Sequence, residues 1–451
     1  MTDAATGAPD PGKRLMGFWT CTALVIGNTI GIGIFLLPAA LAPYGFNALV
    51  GWGVTVLGCV VLARVFARLA QTFPAADGPY SYIRRTQGSG PAFLAIWCYW
   101  VSVWVSNATI AVGVVAYLRA ALPGLASLAP APILALGLLW LCVAVNLFGL
   151  KAGGLAQIVT TALKLLPMAA IMLLGLWILA AHPGLYSRQP PATPIQPSLI
   201  FTASTIALFA MLGLESAAVP AGRVRDPART IPRATLVGTV ATAAIYVAVS
   251  IIPMLLIPQR ELARSPAPFA DLLGRFVGEG YGRWLAAFVV VSGVGALNGW
   301  TLLSGELTRV MAVNRLLPSP FRRLTRRGAP ALGLIATAAL ASGLVVMSYS
   351  KSLVQGFTLL SLMVTAANLP LYLCAALALV AVALKRTPVA PSDVLALGLA
   401  GAAYCVFAFV GVGREPLLWF LVLAGAGVPL YLWMRWRRAP GEGDGPSEVE
   451  R

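Results

Sequence analysis

The stretch Gly27-Asn28-Thr29-Ile30-Gly31-Ile32-Gly33-Ile34-Phe35 sets three glycines inside the first long apolar segment of the chain. Lipid offers backbone N–H and C=O groups no partner, so each must be satisfied within the protein. Glycine lets a helix unwind, and at membrane depth unwinding is tolerated only where the freed groups line a cavity or hold a ligand. The stretch therefore points to a first membrane helix broken at a binding site near the bilayer midplane. Close packing of helices through small residues is the competing reading, since Gly27-x-x-x-Gly31 is also a packing motif.

Composition sets the surroundings of that helix. Of 451 residues, 59% are apolar and 10% charged, against about 25% charged in a soluble domain. The chain reads as an all-α polytopic membrane protein whose first partner is the lipid bilayer. The net charge of +17 does not call for nucleic acid, because the basic residues sit in short loops between apolar segments. The positive-inside rule accounts for them. Residues 1–12 are polar and lack a basic leading region, so no cleaved signal peptide is expected. Cys21, Cys59, Cys98, Cys142, Cys374 and Cys405 all lie in apolar segments without Cys-x-x-Cys spacing, and His182 is the only histidine. Neither metal, disulfide nor cofactor is indicated. The chain has no P-loop and no nucleophile–base constellation, which argues against ATP-driven transport and against an enzyme.

Apolar runs measured against a span of about 20 residues give twelve transmembrane segments: 15–42, 46–72, 91–121, 131–150, 156–181, 199–222, 234–257, 283–313, 330–348, 354–384, 392–412 and 416–438. With both termini cytoplasmic, the inner loops and flanks hold 22 Lys and Arg and the outer loops 8, the asymmetry expected of that orientation. Segment one would run about 42 Å as a straight helix, longer than the hydrocarbon core. Segment six reads Phe209-Ala210-Met211-Leu212-Gly213-Leu214-Glu215-Ser216, with a glycine and a carboxylate at membrane depth. Each of these two segments opens a group of five, the position expected of the broken helices in a 5+5 inverted repeat. The organisation that follows is a cytoplasmic tail over 1–14, a first repeat over 15–181 and a second over 199–384. Helices 11 and 12 over 392–438 and a small, acidic, disordered tail over 439–451 complete it.

At these residues the chain resembles the amino acid–polyamine–organocation superfamily, and within it the basic amino acid/polyamine antiporters. The resemblance rests on Gly27-Asn28-x-x-Gly31-x-Gly33-x-Phe35-Leu36-Leu37-Pro38, and on Gly213-Leu214-Glu215-Ser216-Ala217 followed by Asp226-Pro227-x-Arg229-x-x-Pro232. Gly299-Trp300-Thr301-Leu302-Leu303 and Ala267-Pro268-Phe269 add to it. It implies an antiporter of the cell inner membrane that exchanges a cationic amino acid such as arginine for an amine such as agmatine, by alternating access. The alternative is a proton-coupled or facilitative permease for neutral or broad-range amino acids. A small-molecule amino acid or amine is the implied partner, and a homodimer is left open.

The resemblance also implies roles for particular residues. The Gly31 and Gly33 amides would meet a substrate carboxylate, and carbonyls near Thr29, Phe209 and Leu212 its ammonium. Trp300 would face a cation. Ser102, Val103 and Asn107 would meet the distal side chain, with Tyr99 and Asn28 contributing to gating, and Glu215 would be proton-sensitive. The chain departs from the family at several places. Ile32 stands where a substrate-contacting serine is usual, and Phe209 where a tryptophan is. Ser361 and Thr365 compete for one polar contact, and Tyr372 for a gate position. Lys164 lies mid-span in segment five, where sodium-coupled relatives bind a cation, and reads either as a proton-coupling group or as a fixed charge. The bland readings are bundle packing for Trp300 and Tyr99 and an interhelical hydrogen bond for Asn107.

Overall fold

The computed structural model describes residues 17–73, 78–148, 168–181, 184, 193–213, 224, 226–385 and 393–436. Among these, every one of the twelve apolar segments contains a helix. The order is α1 (Phe18–Thr29), α2 (Gly33–Leu41), α3 (Phe46–Thr72), α4 (Pro79–Gln87), α5 (Ser89–Ala121), α6 (Leu125–Leu128) and α7 (Ala131–Leu147). Next come α8 (Met168–Ala181), α9 (Pro197–Ala210), α10 (Pro227–Leu256), α11 (Gln259–Leu262), α12 (Pro268–Phe276) and α13 (Glu279–Val313). The series closes with α14 (Ala331–Ser348), α15 (Leu353–Leu384), α16 (Asp393–Gly411), α17 (Arg414–Gly425) and α18 (Gly427–Trp436).

Helices α3, α5, α10, α13, α14, α15, α16 and the α17–α18 pair are each long and apolar enough to cross a membrane. The shorter apolar helices α1, α2, α7, α8 and α9 supply the remaining four segments. Large apolar side chains such as Phe288, Val406, Val410, Leu421 and Trp436 stand exposed on the outside of the bundle. In water they would be a liability; on a membrane protein they are the lipid-facing surface.

Two groups of helices emerge from the packing. One joins α1, α2, α3, α9 and α10; the other joins α5, α7, α13 and α14. Segment one pairs with six, two with seven, three with eight and four with nine at an offset of five, and each group holds complete pairs. Small residues draw the first group together: a Cβ at Gly51 would lie 2.8 Å from the Ser204 backbone nitrogen. Thr55, one turn on, donates to the Ser204 carbonyl at 2.8 Å. Helix α15 lies along α5, linking the second group to α16. Its start is fixed locally, because Ser352 and Gln355 cap each other's backbone amides, a reciprocal box that satisfies two of the helix's orphan donors.

Candidate functional site

Helix α1 ends at Thr29 and α2 begins at Gly33, so the first segment breaks over residues 30–32 as the glycines predict. The Ile30 amide closes the last turn on the Ile26 carbonyl at 2.9 Å, and Phe35 donates to the Ile32 carbonyl at 3.0 Å. The second break follows α9, whose last turn ends on Ala210. Met211 and Leu212 donate to the Leu208 and Phe209 carbonyls at 2.9 and 3.4 Å, and Gly213 takes a positive φ of 102°. A side chain disfavours that conformation, which is why the chain leaves the helix at this glycine.

The two breaks touch. A Cβ at Gly33 would stand 2.6 Å from the Phe209 ring, so only a bare glycine lets the aromatic face close on the start of α2. Phe209 is held edge-on against Phe357 of α15, with centroids 5.8 Å apart. At Gly31 the situation is reversed: an added Cβ meets nothing within 4 Å. Gly31 borders a cavity of about 40 Å³, bounded by Thr29, Gly31, Ile32, Gly33 and Ile34 of the first break and Phe209, Ala210 and Leu212 of the second. Ser106 and Ile110 of α5, Tyr246 of α10, Trp300 of α13 and Val364 of α15 complete the wall. That volume is room for only a few water molecules. A wider cleft of about 660 Å³ lies where α2 ends and α15 begins, lined by Tyr44, Thr202, Lys351, Thr358, Leu362 and Glu415.

The break between the two half-helices thus closes on an aromatic ring and is walled by four further helices. Residues 16–426 match the family described as amino acid permease. The chain belongs to the amino acid permease family. It is 30% identical over 424 residues to the putrescine transporter PotE of Escherichia coli (strain K12), across 92% of this chain and 95% of that protein. It is 29% identical over 419 residues to the putrescine transporter PotE of Haemophilus influenzae, covering 92% and 96%. Against the cadaverine/lysine antiporter of Escherichia coli (strain K12) it is 30% identical over 337 residues, 74% of this chain and 75% of that protein. The permease is a multi-pass membrane transporter of amino acid or amine substrates, and not an enzyme.

Of the substrate contacts expected from sequence, Thr29, Gly31, Ile32, Gly33, Phe209, Leu212 and Trp300 meet around the permease's cavity. Ser102, Val103, Asn107 and Ser361 are buried outside its lining. Ser361 donates to the Thr358 carbonyl at 2.9 Å, and its own carbonyl accepts from Thr365 at 2.9 Å. Ser102 donates to the Tyr99 carbonyl at 2.7 Å, and Tyr99 itself is half-buried. Tyr372 is fully buried, edge-on to Phe66 at 5.6 Å. Lys164, Glu215 and His182 lie outside the described residues, as does the side chain of Asn28.

The carbonyls expected to be free are partly engaged. Tyr246 donates its hydroxyl to the Thr29 carbonyl at 2.8 Å, and Phe209's carbonyl takes the Leu212 amide. Tyr246 is thus a site residue that the sequence reading missed, together with Ser106, Ile110 and Val364. Ile32 explains itself by its neighbours: a Cβ at Gly293 of α13 would lie 2.4 Å from its side chain, and one at Gly113 of α5 would lie 3.4 Å away. Two glycines carve a socket for the residue that replaces the family's serine.

Proposed function

We propose that the permease is a secondary antiporter that exchanges a cationic amino acid for an amine by alternating access, with both termini cytoplasmic. The observation that carries this reading is the meeting of both helix breaks with Phe209 and Trp300 at one small cavity. The amides opening α2 form the positive end of a helix and suit a carboxylate. The backbone oxygen of Thr29, now holding the Tyr246 hydroxyl, suits an ammonium that displaces it. Trp300 supplies a π face for a cation, worth about 2 kcal/mol once desolvated. The named substrates of the relatives, putrescine and the cadaverine/lysine pair, fit the same chemistry and favour diamines and lysine over arginine and agmatine.

A second reading has its own support. The lining is mainly apolar, with Ile32, Ile34, Ile110, Leu212 and Val364, which suits a neutral amino acid carried by a proton-coupled or facilitative permease. Glu215 is the proton-sensitive group of either reading, and Lys164 is a coupling group in the second and a fixed charge in the first. Counterflow into proteoliposomes separates the readings. Vesicles preloaded with lysine, arginine, putrescine, cadaverine, agmatine or leucine are tested for uptake of each labelled compound. Trans-stimulation by the cationic set alone supports the antiporter, and by leucine alone the neutral permease.

A further inference from the structure

We propose that the arginine loop before α14 and the end of α7 bind an anionic phospholipid, with its phosphate on the arginines and its acyl chains along the α7–α14 seam. Between α13 and α14 the chain reads Phe321-Arg322-Arg323-Leu324-Thr325-Arg326-Arg327-Gly328. All four arginines are exposed, and none of them has a carboxylate partner among the described residues. Arginines elsewhere in the chain do find one: Arg68 meets Asp393 and Arg309 meets Glu306, each at 3.1 Å. The positive-inside rule accounts for basic charge in such a loop, but not for its being held in one shape. The Thr325 amide donates to the Ala329 carbonyl at 2.9 Å, and the Ala329 amide to the Thr325 hydroxyl at 3.1 Å. Gly328 completes the turn with a φ of 80°, a conformation that a side chain disfavours. Arg326 and Arg327 are thus fixed at its tip.

The neighbour that Arg327 does have is apolar. Its guanidinium lies over the ring of Phe148 at the end of α7, 5.1 Å from the centroid. Phe148 is 69% exposed, so the stack stands where the arginine loop meets the lipid-facing surface. Helices α7 and α14 pack together, and Trp140 donates across their seam to the Ser342 hydroxyl at 3.1 Å. At the arginine end of the two helices, Leu141 and Val145 of α7 and Leu332 and Ile335 of α14 are all exposed. A guanidinium presents a planar fork of N–H donors that matches phosphate oxygens, and four without a counter-charge favour an anion. A dissolved anion would use the arginines alone. A phospholipid also covers the apolar side chains beside them, and a basic cluster at the end of a membrane helix suits its headgroup.

The full chain in a neutral detergent is titrated with dioctanoyl phosphatidylglycerol or dioctanoyl phosphatidylcholine, and native mass spectrometry reads the bound lipid. The two probes share acyl chains and a phosphate and differ in net charge. The parent is expected to bind the anionic lipid tenfold or more tightly than the zwitterionic one. Arg326→Gln/Arg327→Gln should lose that preference, with phosphatidylcholine binding within twofold of the parent's. Arg322→Gln/Arg323→Gln should narrow it in the same way, and decides the matter if the first variant does not fold. Arg64→Gln/Arg233→Gln removes equal charge from two exposed arginines outside the loop and should keep the preference. A parent without preference overturns the site, as does a preference that survives in both loop variants. Equal loss in Arg64→Gln/Arg233→Gln overturns it too, by leaving only net charge at work. Glycerol 1-phosphate bound as tightly as the dioctanoyl lipid would give the arginines to a dissolved phosphate and overturn the lipid assignment.

Discussion

Trp300 and Tyr246 face the same cavity from α13 and α10 with different kinds of surface. Tyr246 spends its hydroxyl on the Thr29 carbonyl at the end of α1, a bond of about 0.6 kcal/mol by membrane averages. Trp300 is half-buried and lines the cavity. Trp300→Leu keeps an apolar side chain and removes the π face. Apparent affinity for lysine or putrescine should then fall about 30-fold, the equivalent of about 2 kcal/mol, while a neutral amino acid loses little. Competition binding on the purified protein measures both; equal losses would assign Trp300 to packing. Trp300 was legible in the sequence because it follows a glycine within a recognisable motif. Tyr246 was not, because a lone hydroxyl in an apolar run carries no sign of which backbone oxygen it will meet. Its partner lies 217 positions away.

At the scale of elements, the account turns on helix ends. The breaks in segments one and six were readable from Gly31, Gly33 and Gly213, since glycine at membrane depth has few other uses. Their mutual contact was not readable, because it depends on how α2 and α9 are brought together by the rest of the bundle. Gly33→Ala tests that contact: its methyl would meet the Phe209 ring at 2.6 Å. Transport should drop tenfold or more, and the double variant with Phe209→Leu should recover part of it, a coupling that independent sites do not show. Full additivity in counterflow rates would separate the two breaks. The same limit hid the socket for Ile32, whose glycines come from α5 and α13.

The loop carrying α11 and α12 is a second element with a measurable property. Phe269 packs edge-on to Phe35 of α2 at 5.8 Å, tying the loop to the broken helix. Asp271 on α12 is held above the usual carboxylate range, first by burial and then by the nearby Glu261 and Glu279, with Ser265 and Arg275 opposing. A raised carboxyl pKa means the folded state favours the protonated form. Its contribution to stability is therefore present at low pH and lost as pH rises through the folded value. Asp271→Asn should remove that loss, so the variant's melting temperature should gain on the parent's between pH 4 and pH 7. A difference that is flat over this range, by thermal unfolding in detergent, would contradict it.

For the whole molecule, the twelve segments follow from patterning, whereas the two groups of packed helices appear only in the structure, because contacts between segments far apart in sequence decide them. Orientation rests on 22 basic residues against 8, and coupling on Lys164. Read as a fixed charge, Lys164 would leave exchange as the only route for substrate; read as a titrating group, it would couple transport to protons. The central claim is that a cationic substrate binds where the two breaks meet and is exchanged for another there. Labelled lysine and putrescine are offered to proteoliposomes of the parent and of Trp300→Ala, loaded with cold substrate or empty under an imposed pH gradient. The expected result is uptake only into loaded vesicles of the parent, with Trp300→Ala folded and inactive. Equal uptake by Trp300→Ala, or accumulation in empty vesicles driven by the pH gradient alone, would contradict it.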